Sequence, residues 1–203
     1  IMTEEEIEDT KKKMIPSLFS ANYELKHIAD EDALFKDPKY FDDSSLLENG
    51  FCHIDASYGG EDYTAFTIGR KKGEKIYIFG KLWHSHVDNV IPKILELKQK
   101  YLTGATYCED NGDKGYLKKT LKGFGDNAKS YTENTNKYIK ISSILYRNWE
   151  NIEFSKESDE EYINQILDYT ENAEHDDAPD SCSSLIRILT KKADSDENYN
   201  PIF

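Results

Sequence analysis

Apolar and polar positions change rhythm twice along the chain. Through residue 48 the apolar residues come in short pieces. Residues 3–14, TEEEIEDTKKKM, offer Thr3 as an N-cap, acids in the first turn and lysines in the last, the order that complements a helix dipole. Pro16 stops that helix. ANYELKHI (21–28) and EDALF (31–35) are too short to bury much, so residues 1–48 read as helix and loop packed on a larger body. At Asn49-Gly50 the pattern turns to strands: FCHIDASY, YTAFTIGR and KIYIFGKLW are rich in aromatic and β-branched residues. Their joints, GGED and KKGE, are short and turn-forming, which predicts antiparallel pairing. Residues 85–101 then place Val87, Val90, Ile91, Ile94, Leu95 and Leu97 at helical spacing, with Pro92 in the first turn.

From here strands and helices alternate. ATYCED (105–110) reads as a strand, 115–124 as a helix, AKSYTE (128–133) as a strand and 136–149 as a helix. NIEF (151–154) is a brief extended piece, followed by helices over 159–170 and 178–192. Three antiparallel strands followed by alternating strand and helix predict an α/β fold with a mixed sheet and helices on both faces. In that order the first strand is interior and the fourth lies beside it.

Composition narrows the function. The 203 residues suit one domain of ordinary size, and the 37% hydrophobic content is clustered enough for a core, although Lys191–Asn200 reads as a stretch that frays. A net charge of -13 argues against tight, autonomous duplex binding, because phosphate neutralisation wants a basic surface. The charge is uneven: from Lys114 to Arg147 stand seven lysines and one arginine, while 1–50 and 150–180 are acidic. Cys52, Cys108 and Cys182 lack paired spacing, which speaks against a disulfide framework or a zinc site. No apolar run reaches the ~18 residues of a membrane span, and the opening IMTEEE reads as the start of an excised piece.

The informative residues are acids near strand and helix ends. Asp55 follows Phe51, Cys52 and Ile54 in the first strand, where a carboxylate is costly unless paired, bonded or metal-bound. Glu109 and Asp110 end the fourth strand; Asp176 and Asp177 precede the last helix and Asp180 lies in its first turn. Each has an ordinary explanation on its own: an edge-strand residue facing solvent, a turn acid, an N-cap. Together, in the expected sheet order, they meet in one cleft. Carboxylates crowded in this way need cations, and hard oxygen donors select Mg²⁺ or Mn²⁺. Two such ions roughly 3.5–4 Å apart can activate water and stabilise a leaving oxygen in phosphodiester cleavage.

At these residues the sequence resembles the C-terminal nuclease domain of the tailed-bacteriophage terminase large subunit, the DNA-packaging motor. HIDASYGGEDYTAF resembles its first acidic motif, TYCEDNGDKGYL its second and EHDDAPDSCSSLIR its third, while ANYELKHI resembles the connection from the upstream ATPase domain. The resemblance implies a ribonuclease H-like fold over 49–190, preceded by a linker (1–48) and followed by a tail (191–203). It implies Asp55 as first metal ligand and Glu109, in competition with Asp110, as second. Asp177 would be the third, with Asp176 and Asp180 contributing. Asp62 and His175 match motif positions of the outer shell. Lys114, Lys118, Lys119, Lys122, Lys129, Lys137 and Lys140 are the phosphate-contact candidates. The implied cofactor is Mg²⁺ or Mn²⁺, two ions. The implied partners are duplex DNA, the ATPase domain, the small terminase subunit and the portal protein, with an isolated monomeric domain acting in the cytoplasm of a bacterial host. No G-x-x-x-x-G-K-[ST] phosphate loop occurs, so this stretch is not a motor by itself. Two other readings stand beside it: a junction resolvase or transposase-type nuclease of the same fold, and a non-catalytic acidic protein-binding module.

Overall fold

A computed structural model of the chain describes residues 33–197. The expected helix over 3–14, the 21–28 piece and the end of the expected tail lie outside those residues. The core is a seven-stranded sheet. Its strands are β1 (Lys39–Phe41), β2 (Phe51–Asp55), β3 (Thr64–Lys72), β4 (Lys75–Trp83), β5 (Thr106–Glu109), β6 (Ala128–Tyr131) and β7 (Ile152–Ser155), in the spatial order β1-β7-β4-β3-β2-β5-β6. The helices are α1 (Ile91–Lys100), α2 (Tyr116–Gly123), α3 (Lys137–Asn148), α4 (Glu160–Leu167) and α5 (Asp177–Glu197).

The three aromatic-rich runs form the expected antiparallel meander β2–β3–β4. Between β3 and β4 the reversal is two residues, Gly73-Glu74, and Gly73 takes the positive φ of 58° that such a turn requires. Between β2 and β3 the chain makes a longer loop, 56–63. The strand therefore ends at Asp55, so this acid stands at a strand terminus and not inside a strand running on to Tyr58. β5 joins β2 in parallel and β6 joins β5 in parallel, as the alternating pattern predicts.

Two short strands differ from the sequence expectation. NIEF becomes β7, an interior strand that pairs parallel with β4. Residues 39–41, expected as loop, form β1 parallel to β7. Both are short, and their order comes from pairing with distant segments, a non-local effect that periodicity does not carry.

Alternation along the strands divides the side chains between two layers. Cys52, Ile54, Phe66, Ile68 and Phe79 pack with Ile91 and Ile94 of α1 and Leu117 and Leu121 of α2. On the other face Ala65, Ile76, Ile78 and Phe154 pack with α3, α4 and α5. α5 lies across β3 and β2. Close packing of the helices on this face needs small residues: a Cβ at Gly69 would stand 2.9 Å from Leu185 Cδ2 of α5, and one at Gly80 would stand 2.1 Å from ring carbons of Tyr162 on α4. α5 continues past the expected end at 192 to Glu197, through a stretch expected to fray. No helix among the described residues is long and apolar enough to cross a membrane.

Candidate active site

Parallel pairing brings the first two acids together. β2 and β5 run in register as Cys52↔Thr106, His53↔Tyr107 and Ile54↔Cys108. The next step sets Asp55 beside Glu109, on the face that α5 covers. The first turn of α5 supplies Asp180. All three line one cleft of about 360 Å³, walled on the other side by Lys137 and Lys140 of α3. Three acids separated by up to 125 positions thus share a single concavity at the strand ends.

The position of α5 is fixed by a buried polar chain. His53 Nδ1 meets Ser181 Oγ at 3.0 Å and its Nε2 meets the Tyr131 hydroxyl at 2.9 Å. Ser181 also meets Thr67 Oγ1 at 2.8 Å, and Thr67 meets the Tyr162 hydroxyl at 2.6 Å. Burial pushes the His53 imidazole down to about 3, against the opposing charge of Asp180, so it stays neutral and can donate through one nitrogen and accept through the other. Ser181 adjoins Asp180, so this chain fixes the rotation of α5 that turns Asp180 into the cleft.

The electrostatics of the cleft follow from crowding. Burial raises the Asp55 carboxyl well above its ordinary range, and the charges of Asp180 and Asp177 add to this while Lys137 and Lys140 oppose it. Glu109 is raised by burial, then by Asp180 and Glu133, with Lys140 opposing. Asp180 is the neutralised member. Lys140, only 3% exposed, donates to its Oδ1 and to Ser184 Oγ at 3.3 Å. Lys137 stands 3.3 Å from Asp180 Oδ2 and 2.7 Å from Asp176. Burial would lower the Lys137 ammonium, but Asp180, Asp176 and Asp55 raise it above the ordinary lysine value, so it remains charged.

Other expected site residues lie elsewhere. Asp177 is buried beside the cleft, where it is hydrogen-bonded by the Tyr63 backbone and near Asp176 and Asp62; its carboxyl is raised mainly by burial. Asp110 accepts from Ser130 at 2.8 Å and Thr132 at 3.3 Å; it is the residue after Glu109, and alternation sends it away from the cleft. Asp62 is exposed, and His175 packs edge-on against Tyr63 with its ring centroid 5.2 Å away. The lysine stretch does not make one surface. Lys114, Lys119, Lys122 and Lys129 are exposed and Lys118 reaches Ser130, whereas Lys137 and Lys140 are held in the cleft by acids.

The sequence reading missed Glu133, a third strand-end acid just beyond β6. It lines the cleft, and despite burial its ion pair with Arg187 (2.5 Å) and the Thr135 amide hold it down at about 2. Asn111 clasps its backbone from the neighbouring loop, donating to the carbonyl at 2.6 Å and accepting from the amide at 3.1 Å. The available signal was the repeat of a strand-end acid, and Arg187 seven positions after Asp180 on the same side of α5.

Among the described residues no three His, Cys, Asp or Glu side chains already converge as a metal-binding group. The chemistry of the donor set nevertheless suits a hard divalent cation. Asp55 and Glu109 are adjacent oxygen donors whose negative charge is disfavoured by burial and by Asp180, the condition a cation relieves.

Neither protein-family models nor curated proteins give a match to this chain. Solved structures do. The large terminase of the thermophilic bacteriophage D6E superposes over 93% of this chain with a TM-score of 0.53 at 10% identity, and the chain spans about half of it, 53%. The large terminase nuclease of thermophilic phage G20c with bound magnesium covers 76% of this chain, and 93% of that chain, with a TM-score of 0.50 at 12% identity. The same nuclease with bound zinc gives 0.50 at 15% identity, over 76% and 94%. The mixed sheet with its crossing C-terminal helix is the ribonuclease H-like fold of phage large-terminase nuclease domains.

Proposed function

We propose that this chain is a divalent-metal-dependent DNA endonuclease that cuts phage DNA during genome packaging. One observation carries the reading. Adjacent parallel strand ends and the first turn of α5 bring Asp55, Glu109 and Asp180 into one cleft, on the fold of terminase nucleases. A module whose acids served only as caps and solvated faces would have no reason to collect them there.

In this reading Asp55 and Glu109 hold the metal, with Asp180 as the third ligand in preference to Asp177. Asp177, held by the Tyr63 backbone, and Asp176, paired with Lys137, help to orient the first turn of α5 from outside the ligand set, with Asp62 exposed nearby. The metal, as two Mg²⁺ or Mn²⁺ ions, would supply water activation and stabilisation of the leaving oxygen. The chain's own residues supply position. The His53–Ser181 bond holds the helix against β2, and the Asn111–Glu133 clasp joins the two loops that rim the cleft. Lys137, half-exposed at the mouth, faces an incoming phosphate. The net charge of -13 fits a nuclease presented with DNA by partners: an ATPase domain, the small terminase subunit and the portal protein, in a bacterial cytoplasm.

The test is plasmid cleavage with Mg²⁺, Mn²⁺ and chelator. The expected result is metal-dependent nicking and linearisation without sequence preference, abolished by chelator. Asp55→Asn lowers the rate on the order of 100-fold or more, since even outer-shell partners of metal ligands are worth up to about that. Wild-type cleavage by Asp55→Asn would place the chemistry elsewhere. A strong preference for branched over linear duplex would transfer the reading to a junction resolvase.

A further inference from the structure

Lys140 is the most buried lysine among the described residues, and the nuclease reading gives it no part. It reaches from α3 to Asp180 Oδ1 and Ser184, while Lys137, one turn earlier on the same helix face, stands 3.3 Å from Asp180 Oδ2. Both oxygens of Asp180 are thus engaged by ammonium groups. Asp55 and Glu109, in the same cleft, make no ion pair with any described residue; only the more distant field of the two lysines offsets their charge. The cleft is therefore divided into a neutralised half on α5 and an uncompensated half on β2 and β5.

We propose that Lys140 is a positioning residue for metal loading: it holds Asp180 in a buried charge pair that a divalent ion must break, and so sets how tightly the cleft takes metal. The inference rests on the metal-dependent nuclease reading. The physics is an exchange of cations at one carboxylate. A divalent ion drawn to Asp55 and Glu109 repels the buried ammonium, and Asp180 can join the ion only by releasing Lys140. With a 3% exposed residue, that release has no direct route into water, so the exchange works against metal affinity. The loading of the site is then limited by the lysine, while its selectivity follows from the oxygen donors.

The measurement is a Mn²⁺ titration of the whole chain, followed by thermal melting and by the electron paramagnetic resonance of free Mn²⁺. It compares wild type, Lys140→Met and Lys140→Arg. Lys140→Met melts lower than wild type without metal, because buried Asp180 loses its nearer ammonium partner. It then binds Mn²⁺ about tenfold or more tightly, the effect expected when a charge within about 4–6 Å is removed. Its melting temperature accordingly rises about 3–6 °C further than that of wild type at the same Mn²⁺ concentration. Lys140→Arg tracks wild type. A lysine that only packs α3 against α5 would lower both melts equally and leave Mn²⁺ affinity unchanged, which overturns the proposal. Should Lys140→Met not fold, Lys137→Met, at a side chain 47% exposed, takes its place with the same direction and a smaller size. Unchanged affinity there overturns the proposal too. Binding of Mn²⁺ to no variant, wild type included, would refute the nuclease reading itself; equal binding to all strikes only Lys140.

Discussion

The two faces of β2 put similar chemistry to different uses. Each faces a buried lysine–aspartate pair that anchors a helix, α1 through Lys98 and α3 through Lys140. On the Cys52–Ile54 face, Lys98 of α1 meets Asp126 at 2.5 Å and donates to the Gly104 carbonyl at 2.8 Å, with Thr106 donating to Asp126 at 3.0 Å. On the His53–Asp55 face, Lys140 meets Asp180 in a cleft that also holds Asp55 and Glu109, neither of which has an ion-pair partner among the described residues. Burial and ion pairing therefore do not distinguish a scaffold pair from a site pair. The neighbours do: one pair closes its own charge account, and the other stands beside acids it does not neutralise.

That contrast can be broken from either side. The largest stability effect belongs to the scaffold pair. Lys98→Met, which strands Asp126 in the core, destabilises by about 3–5 kcal/mol in chemical denaturation, while cleavage per folded molecule stays at the wild-type level. A loss of specific activity would show that the quiet face also shapes the cleft. A smaller effect concerns His53. Its imidazole is neutral in the fold and depressed from 6.5 to about 3, so the stability it contributes is present above pH 6.5 and is lost as pH falls from 6.5 towards 3. The slope is at most about 1.4 kcal/mol per pH unit. Asp55 acts with the opposite sign, since its raised carboxyl favours the folded state as pH falls. The comparison is therefore made in an Asp55→Asn background, between pH 6.5 and 4.5, with and without His53→Gln. Equal slopes would remove His53 from the account. The smallest effect lies on the exposed α2. Lys119→Ala changes stability by no more than about 0.5 kcal/mol and lowers the salt slope of DNA binding by about 0.9, the value of one phosphate contact. An unchanged slope makes that lysine a solvated surface residue.

The legible part of the site was what strand geometry determines. Asp55 and Glu109 follow apolar strands, and the alternating order of elements places those strands side by side. The illegible part depended on which way an element faces. Glu109 and Asp110 are neighbours in sequence and point to opposite sides of the sheet, and only the location of α5 says which side holds the cleft. Asp177 and Asp180 lie almost one helical turn apart, and the choice between them depends on the His53–Ser181 contact. Lys137 and Lys140 counted as members of a basic stretch because charge adds along a sequence; the fold separates them from Lys114, Lys119 and Lys122 and sets them against acids. In the fold itself the meander and the alternating half could be read from periodicity, whereas β1 and β7 owe their strand state to partners far away in the chain.

α5 has a practical consequence for handling the molecule. At 1.5 Å per residue, its run from Asp180 to Glu197 extends roughly 25 Å. A dye, surface anchor or fusion attached near Glu197 would stand well clear of the acids at the other end of the same rod. Immobilised copies could then be presented with DNA without the attachment crowding the cleft.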